Sequence, residues 1–178
     1  GFDKNALQIL KRKKNLRIID STNFSSSQSL KSNSFYDTIL IQSEDRNIFS
    51  KKDFEIVSKK KPNKSQFDNL IFAFNVCRFV KSNTIVLANN KSTIGIGSGQ
   101  PSRLDSCKIA IDKMNKFVKN KNGIVAASDA FFPFIDGIEK LVQSGVTAVI
   151  QPSGSIRDKE IINFANSTET ILIFSKTR

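Results

Sequence analysis

The sequence predicts an α/β domain built on a mixed sheet, and two observations carry that prediction. From residue 123 onward, apolar runs alternate with amphipathic stretches in the order strand, helix, strand, helix, strand. Such alternation specifies parallel strands covered by helices. Earlier, "TIVLA" and "STIGIG" are separated only by "NNK". So short a connection closes a hairpin, whose strands are antiparallel. One sheet containing both arrangements is mixed.

The elements follow in chain order. "DKNALQILKRKK" (residues 3–14) sets Ala6, Leu7 and Leu10 on one side of a helix. "NLRIID" reads as a strand and the Ser-rich "STNFSSSQSLKSNS" (21–34) as a loop. "YDTILIQS" and "DFEIVS" are strand segments. "KKKPNKS" (59–65) interrupts the pattern with charge and Pro62, and reads as a solvated loop in preference to a nucleic-acid patch. Phe67, Leu70, Ile71, Phe74 and Cys77 then recur at helical spacing within 65–83. They form a core stripe, favoured over an aromatic stack for nucleobases. After the hairpin, Leu104, Cys107, Ile111, Met114 and Val118 mark a second amphipathic helix over 102–120. Ser102 and Asp105 resemble a capping box at its start. "GIVAAS", "FIDGIEKLVQS", "VTAVIQ", "RDKEIINFANS" and "ETILIFS" complete the alternating third, with Ser155 and Asp158 repeating the S-x-x-D spacing.

Composition narrows the chemistry. At 178 residues, 39% hydrophobic and 25% charged, the chain suits one globular domain. It contains no histidine, which excludes an imidazole base, a Ser–His–Asp triad and a histidine metal ligand within it. Cys77 and Cys107 are too few and too far apart for a zinc site; no metal is expected, and both read as buried thiols in a reducing, cytoplasmic setting. No apolar run approaches the ~20 residues that cross a bilayer. Lys and Arg outnumber Asp and Glu by 28 to 16, a net charge of +12. That balance suits nucleic acid, phosphorylated metabolites or polycarboxylates, or simply a Lys-rich surface. The basic residues are scattered and form no nucleic-acid motif. The first residue is Gly1, and the chain is expected to be a piece of a longer one.

"STIGIGSGQPSRLDS" (92–106) places Gly95, Gly97 and Gly99 in alternation before a helix. A dinucleotide loop needs G-x-G-x-x-G inside a βαβ unit. Counted from Gly95 the third glycine falls on Gln100, and counted from Gly97 it falls on Ser102. A phosphate loop of the Gly-Lys-Ser/Thr type fails too, so both cofactor classes are excluded. Two readings stay open. Gln100, Ser102 and Arg103 form an anion site at a helix N-terminus, or the glycines serve tight packing ahead of a capped helix. "SDAFFPFIDG" (128–137) follows a buried strand. Its phenylalanines, beside Asp129 and Asp136, either line a flat pocket or plug the core beneath the next helix. "QPSGSIRD" (151–158) follows the next strand, either as a second site loop or as a capped strand–helix turn. Both loops leave the same edge of the inferred sheet, which favours a shared cleft.

Taken together, "GFDKNALQIL", "KKKNLRII", "FVKSNTIVLA", "IGIGSGQPSRLDS", "AASDAFFPFIDG", "SGVTAVIQPSGSIRD" and the terminal "TR" resemble the C-terminal part of the AICAR transformylase/IMP cyclohydrolase family. The likeness runs end to end and is weakest across 21–65. It implies a cytidine-deaminase-like three-layer unit with a mixed sheet over residues 65–178, preceded by a linking segment over 1–64. It also implies formyl transfer from 10-formyltetrahydrofolate to the 5-amino group of AICAR, within purine biosynthesis. The family's acid–base work belongs to a Lys–His pair upstream of the matched region. Without a histidine, this chain is expected to be inactive alone, and the IMP cyclohydrolase domain is expected to lie further upstream.

By the same resemblance Asn83, Arg103, Phe131 and Arg178 match positions that contact AICAR, and Leu104, Asp136, Ser155 and Ile156 match the folate side. Ile135 stands where the family more often has a polar or small residue. The resemblance further implies an intertwined homodimer whose sites draw on both subunits. Set against it are a basic nucleic-acid-binding module and a nucleotide- or folate-binding domain without chemistry.

Overall fold

A computed structural model of the chain describes residues 1–24, 30–44, 47 and 49–176. They divide into two compact units, Gly1–Arg46 and Asn47–Arg178. No helix among the described residues is long and apolar enough to cross a membrane.

The first unit opens with helix α1, Lys4–Lys11. Asp3 caps it, its carboxylate accepting from the N–H groups of Asn5 and Ala6 at 2.9 and 3.1 Å. Strands β1 (Leu30–Phe35) and β2 (Thr38–Ser43) form an antiparallel hairpin, turned at Tyr36 with φ 50°. "NLRIID" is not a strand. Among the described residues its backbone runs beside no strand partner, and a lone extended segment has no ladder to satisfy its N–H and C=O groups. The end of the Ser-rich stretch, in contrast, is β1, because the β-prone "TILIQS" pairs with it. Residues 25–29 of that stretch lie outside the described residues. No described residue of this unit is buried, and Leu30, Phe35, Ile39, Leu40 and Ile41 are all exposed.

The second unit contains β3 (Phe54–Ile56), α2 (Lys64–Cys77), β4 (Ile85–Asn89), β5 (Ser92–Gly97), α3 (Arg103–Phe117), β6 (Val125–Ser128), α4 (Ile135–Gln143), β7 (Ala148–Pro152), α5 (Asp158–Ser167) and β8 (Ile171–Ser175). The sheet order is β3-β8-β7-β6-β4-β5. Strands β6, β7 and β8 are parallel, and every other pairing is antiparallel, so the sheet is mixed as predicted. Leu70, Ala73, Phe74 and Cys77 of α2 pack on Val86, Ala88, Val125, Ala127 and Ile150. On the opposite face Cys107, Met114, Ile138, Leu141 and Ile161 pack on Ile85, Leu87, Val149 and Leu172. The result is three layers, helix–sheet–helix. Strands β6, β7 and β8 are buried on both faces, which is why their sequences run apolar without alternation.

Three local expectations change. Helix α2 starts at Lys64 behind a capping box in which Asn63 and Gln66 each accept from the other's N–H. It stops at Cys77, well short of residue 83. Phe79 and Val80 close the last carbonyls with short-range bonds as the chain reverses into β4. At α3 the Ser102 side chain makes no cap bond, and Asp105 pairs with Lys108 at 3.0 Å instead. At α5 the helix begins at Asp158, so Ser155 and Asp158 brace the preceding turn. Ser155 Oγ accepts from Arg157 N–H at 3.1 Å and Asp158 Oδ2 from Gly154 N–H at 2.8 Å.

The alternating glycines of β5 have a steric reason. A Cβ at Gly95 would lie 2.2 Å from the Ala110 carbonyl oxygen, and one at Gly97 would lie 1.9 Å from that of Ser106. Period-two spacing puts both glycines on one face of the strand. Ser106 and Ala110 are a turn apart on α3, so helix backbone rests directly on strand backbone.

Gly97→Ala is expected to destabilise the chain by about 3 kcal/mol or more, since neither backbone has room to yield. Gly99→Ala, at φ 66° with nothing nearer than 3.9 Å, is expected to cost only about 1 kcal/mol. Urea unfolding of the two variants measures the difference. Burial pushes the Cys77 thiol far up and the Cys107 thiol from 9.0 to about 12. Neither thiol is expected to react with a disulfide reagent at pH 8 until the chain unfolds. Because both folded values are raised, the stability tied to them is complete below pH 9 and declines as pH rises above it.

Candidate functional site

The strand register gathers one end of every long strand at one edge. Ile85 pairs with both Gly97 and Ser128, Ala127 with Ile150, and Gln151 with Phe174. The start of β4, the end of β5 and the C-terminal ends of β6, β7 and β8 therefore share that edge, where open α/β sheets bind ligands. Thr84, Ser128, Gln151 and Ser175 are buried polar residues there. Their hydrogen bonds tie down the connecting loops. Thr84 Oγ1 donates to the Lys81 carbonyl at 2.7 Å, and Ser128 Oγ donates to that of Ala130 at 2.6 Å. Gln151 Oε1 accepts from Phe132 N–H at 3.2 Å, and the Ser175 carbonyl accepts from Ser153 N–H at 3.2 Å.

Arg103, the first residue of α3, is the hub of this edge. Its Nη1 lies 2.9 Å from Asp129 Oδ1, its Nη2 donates to Asn83 Oδ1 at 2.9 Å, and its Nε donates to the Phe131 carbonyl at 3.2 Å. The two charged side chains are only 11% and 10% exposed. Asp129 Oδ1 also accepts from Thr84 N–H at 3.0 Å, and its Oδ2 accepts from the Ser82 hydroxyl. Asn83 Nδ2 donates to the carbonyls of Gln100 and Pro101 at 2.8 and 3.0 Å. Ser106 Oγ donates to the Asn83 carbonyl at 2.8 Å. The open reading of Arg103 as a direct anion contact is thereby refined. A carboxylate of the chain itself balances its charge, and the guanidinium plane is fixed by three differently directed bonds. The side chain of Gln100, named with it, turns back to the Ser98 carbonyl at 3.0 Å.

A cleft of about 570 Å³ opens beside this hub. Asn83, Arg103, Leu104, Phe131 and Asp136 all line it, with Pro101, Ser102, Ala130, Phe132, Pro133, Phe134 and Gly137. The two readings of "SDAFFPF" divide by residue. Phe132 is the plug, 1% exposed, and Gly137 makes room for it, since a Cβ there would meet the ring at 2.6 Å. Phe131 and Phe134 are the exposed cleft aromatics, at 38% and 52%. Ser155 and Ile156 do not line this cleft, and Ile156 is fully exposed. Their loop is joined to it by Arg157, whose guanidinium carbon sits 4.6 Å from the Phe134 ring centroid. Arg178 lies outside the described residues.

Asp129 and Gln151 were the least legible members. In sequence Asp129 stands beside the pocket phenylalanines, directly after a buried strand, but nothing there marks it as the partner of Arg103. Gln151 likewise ends the apolar run "AVI" with a side chain rarely found fully buried.

The family model described as AICARFT/IMPCHase bienzyme matches residues 1–113. That span includes Asn83, Arg103 and Leu104. The bifunctional purine biosynthesis protein PurH of Buchnera aphidicola subsp. Baizongia pistaciae is 45% identical over 179 residues, covering 99% of this chain and 34% of that protein. PurH of Aquifex aeolicus is 43% identical, covering 99% and 34%. PurH of Pelodictyon phaeoclathratiforme is 40% identical, covering 100% and 34%. The chain thus spans about a third of the length of the curated relatives it matches. With more than half of its residues matched by the family model, and relatives aligned along nearly its whole length, the chain belongs to the AICARFT/IMPCHase bienzyme family.

Proposed function

We propose that the chain forms the ligand-binding wall of an AICAR transformylase acting in purine biosynthesis, with 10-formyltetrahydrofolate as formyl donor. The observation that carries this reading is the single cleft in which Asn83, Arg103, Leu104, Phe131 and Asp136 meet, in a chain whose relatives are named purine biosynthesis proteins.

The amine to be formylated is conjugated with a carboxamide-bearing imidazole and is a weak nucleophile. Transfer then depends on holding it against the formyl carbon and on removing its proton. This chain supplies the holding. Arg103 and Asn83, locked together and neutralised by Asp129, offer fixed polar edges suited to a planar carboxamide. The Phe131 ring offers an apolar face to the base. Arg178 is the cation for the nucleotide phosphate. Asp136 accepts from a pterin N–H edge, Leu104 walls the folate, and Ser155 and Ile156 approach from the neighbouring loop. Proton removal belongs to a Lys–His pair upstream of the matched region, so the chain alone does not turn over. It works in the cytoplasm as a homodimer. The exposed apolar hairpin of β1 and β2 supports a second copy, since two strands with no buried residue are marginal without a partner.

Calorimetric titration of the chain with AICAR tests the reading. Binding is expected, and Arg103→Ala or Phe131→Ala is expected to weaken it by about 10-fold or more, while Leu104→Ala changes it by less than about twofold. Affinity within about twofold of the unsubstituted chain in both of the first two variants overturns the assignment. Turnover by the chain in a steady-state formyl-transfer assay overturns the division of labour. Ile41→Glu is expected to move the chain from dimer to monomer in sedimentation velocity, and an unchanged coefficient rules the hairpin out of the interface.

A further inference from the structure

The fully buried Gln151 is used by only half of its amide. Its Oε1 accepts from Phe132 N–H at 3.2 Å, while its Nε2 is buried without a hydrogen-bond partner among the described residues. The orientation of the amide follows from its neighbour. Reversed, the NH₂ group would face the Phe132 N–H, donor against donor. A buried, unmatched N–H group is expensive, and most such groups in folded chains are paired. A serine, or a loop carbonyl, accepts one N–H without that penalty, so simple closure of the core does not account for a glutamine here.

The place of Gln151 in the fold suggests what the side chain does. It stands on β7, one residue before the strand ends, and its bond crosses to the loop leaving the adjacent parallel strand β6. Phe132 lies between Phe131 and Pro133, both of which line the cleft. Phe131 carries both the exposed ring and the carbonyl that accepts from Arg103 Nε, and Pro133 follows. The Phe132 ring is clamped under α4 at Gly137. The backbone at Phe132 is thus held by its ring on one side and by the Gln151 amide on the other. The pose of Phe131 depends on both.

We propose that Gln151 is a positioning residue of the cleft. By holding the Phe132 N–H it sets the turn at residues 131–133, and with it the Phe131 ring and the carbonyl that orients Arg103. The unmatched Nε2 is the cost of a side chain selected for reach and rigidity at that point. It acts through Phe131 and Arg103 and touches no reacting atom. This inference rests on the nucleotide reading of the cleft for its effect on binding, but not for its effect on the turn.

Two isosteric variants of the 178-residue chain test it by amide hydrogen exchange and by calorimetric titration with AICAR. Gln151→Met keeps the volume and removes both polar atoms. Gln151→Glu keeps an acceptor for Phe132. In Gln151→Met the Phe132 amide is expected to exchange about 10-fold faster or more, with protection in β4, β6 and β8 retained, and AICAR affinity to fall by about fivefold. In Gln151→Glu slow exchange at Phe132 is expected to be restored. Phe132 exchange within about twofold of the unsubstituted chain in Gln151→Met overturns the proposal. So does faster exchange spread evenly over the sheet, which marks a purely structural role. If the unsubstituted chain binds no AICAR, the functional reading fails, while the Phe132 exchange comparison still decides whether Gln151 sets the turn.

Discussion

The carboxylate of Asp129 is the fixed point of the site edge. It receives the guanidinium of Arg103, the N–H of Thr84 and the hydroxyl of Ser82, and so joins the start of α3, the entry to β4 and the exit of β6. A buried ion pair is stable only when its remaining donors and acceptors are also met. Here the Phe131 carbonyl and Asn83 Oδ1 accept two more of the guanidinium N–H groups, and Asn83 Nδ2 is in turn spent on the Gln100 and Pro101 carbonyls. The network leaves Arg103 little freedom to reorient.

That network exists because α3 sits unusually close to the sheet. With a side chain at Gly95 or Gly97 the helix would be lifted off β5, and the first residue of α3 would move with it. The glycines that invite a cofactor reading are therefore structural, yet their effect reaches the cleft through Arg103. A pattern in the strand fixes the height of a helix, and the height of the helix sets the position of a charge.

Much of the sheet was legible because its signals are local. The hairpin is announced by a short turn between two β-prone runs, and β6 to β8 by apolar runs bounded by helices at regular spacing. Structure departs from local preference where pairing or chain reversal overrides it. "NLRIID" has strand character but no neighbouring strand among the described residues, "LKSNSF" has little strand character but a good partner, and α2 ends where the chain must turn into β4. Neither S-x-x-D spacing forms a cap, because Asp105 pairs with Lys108 while Ser155 and Asp158 bond within the turn before α5.

The sequence by itself determined the mixed α/β class, the buried thiols, the lack of a histidine within this chain, the mismatch of its glycines to a dinucleotide loop, and the pieces "QPSR" and "SDAFFPF" that make the cleft. These follow from composition, period and spacing, which are properties of neighbouring residues. Only the tertiary structure decided that Arg103 is neutralised by Asp129, that Phe132 is core while Phe131 and Phe134 face the cleft, and that Gln151 reaches across to the adjacent loop. Those outcomes depend on strand register, which brings side-chain partners 19 to 47 positions apart to one sheet edge, and no local pattern encodes which buried partner a polar side chain will meet there.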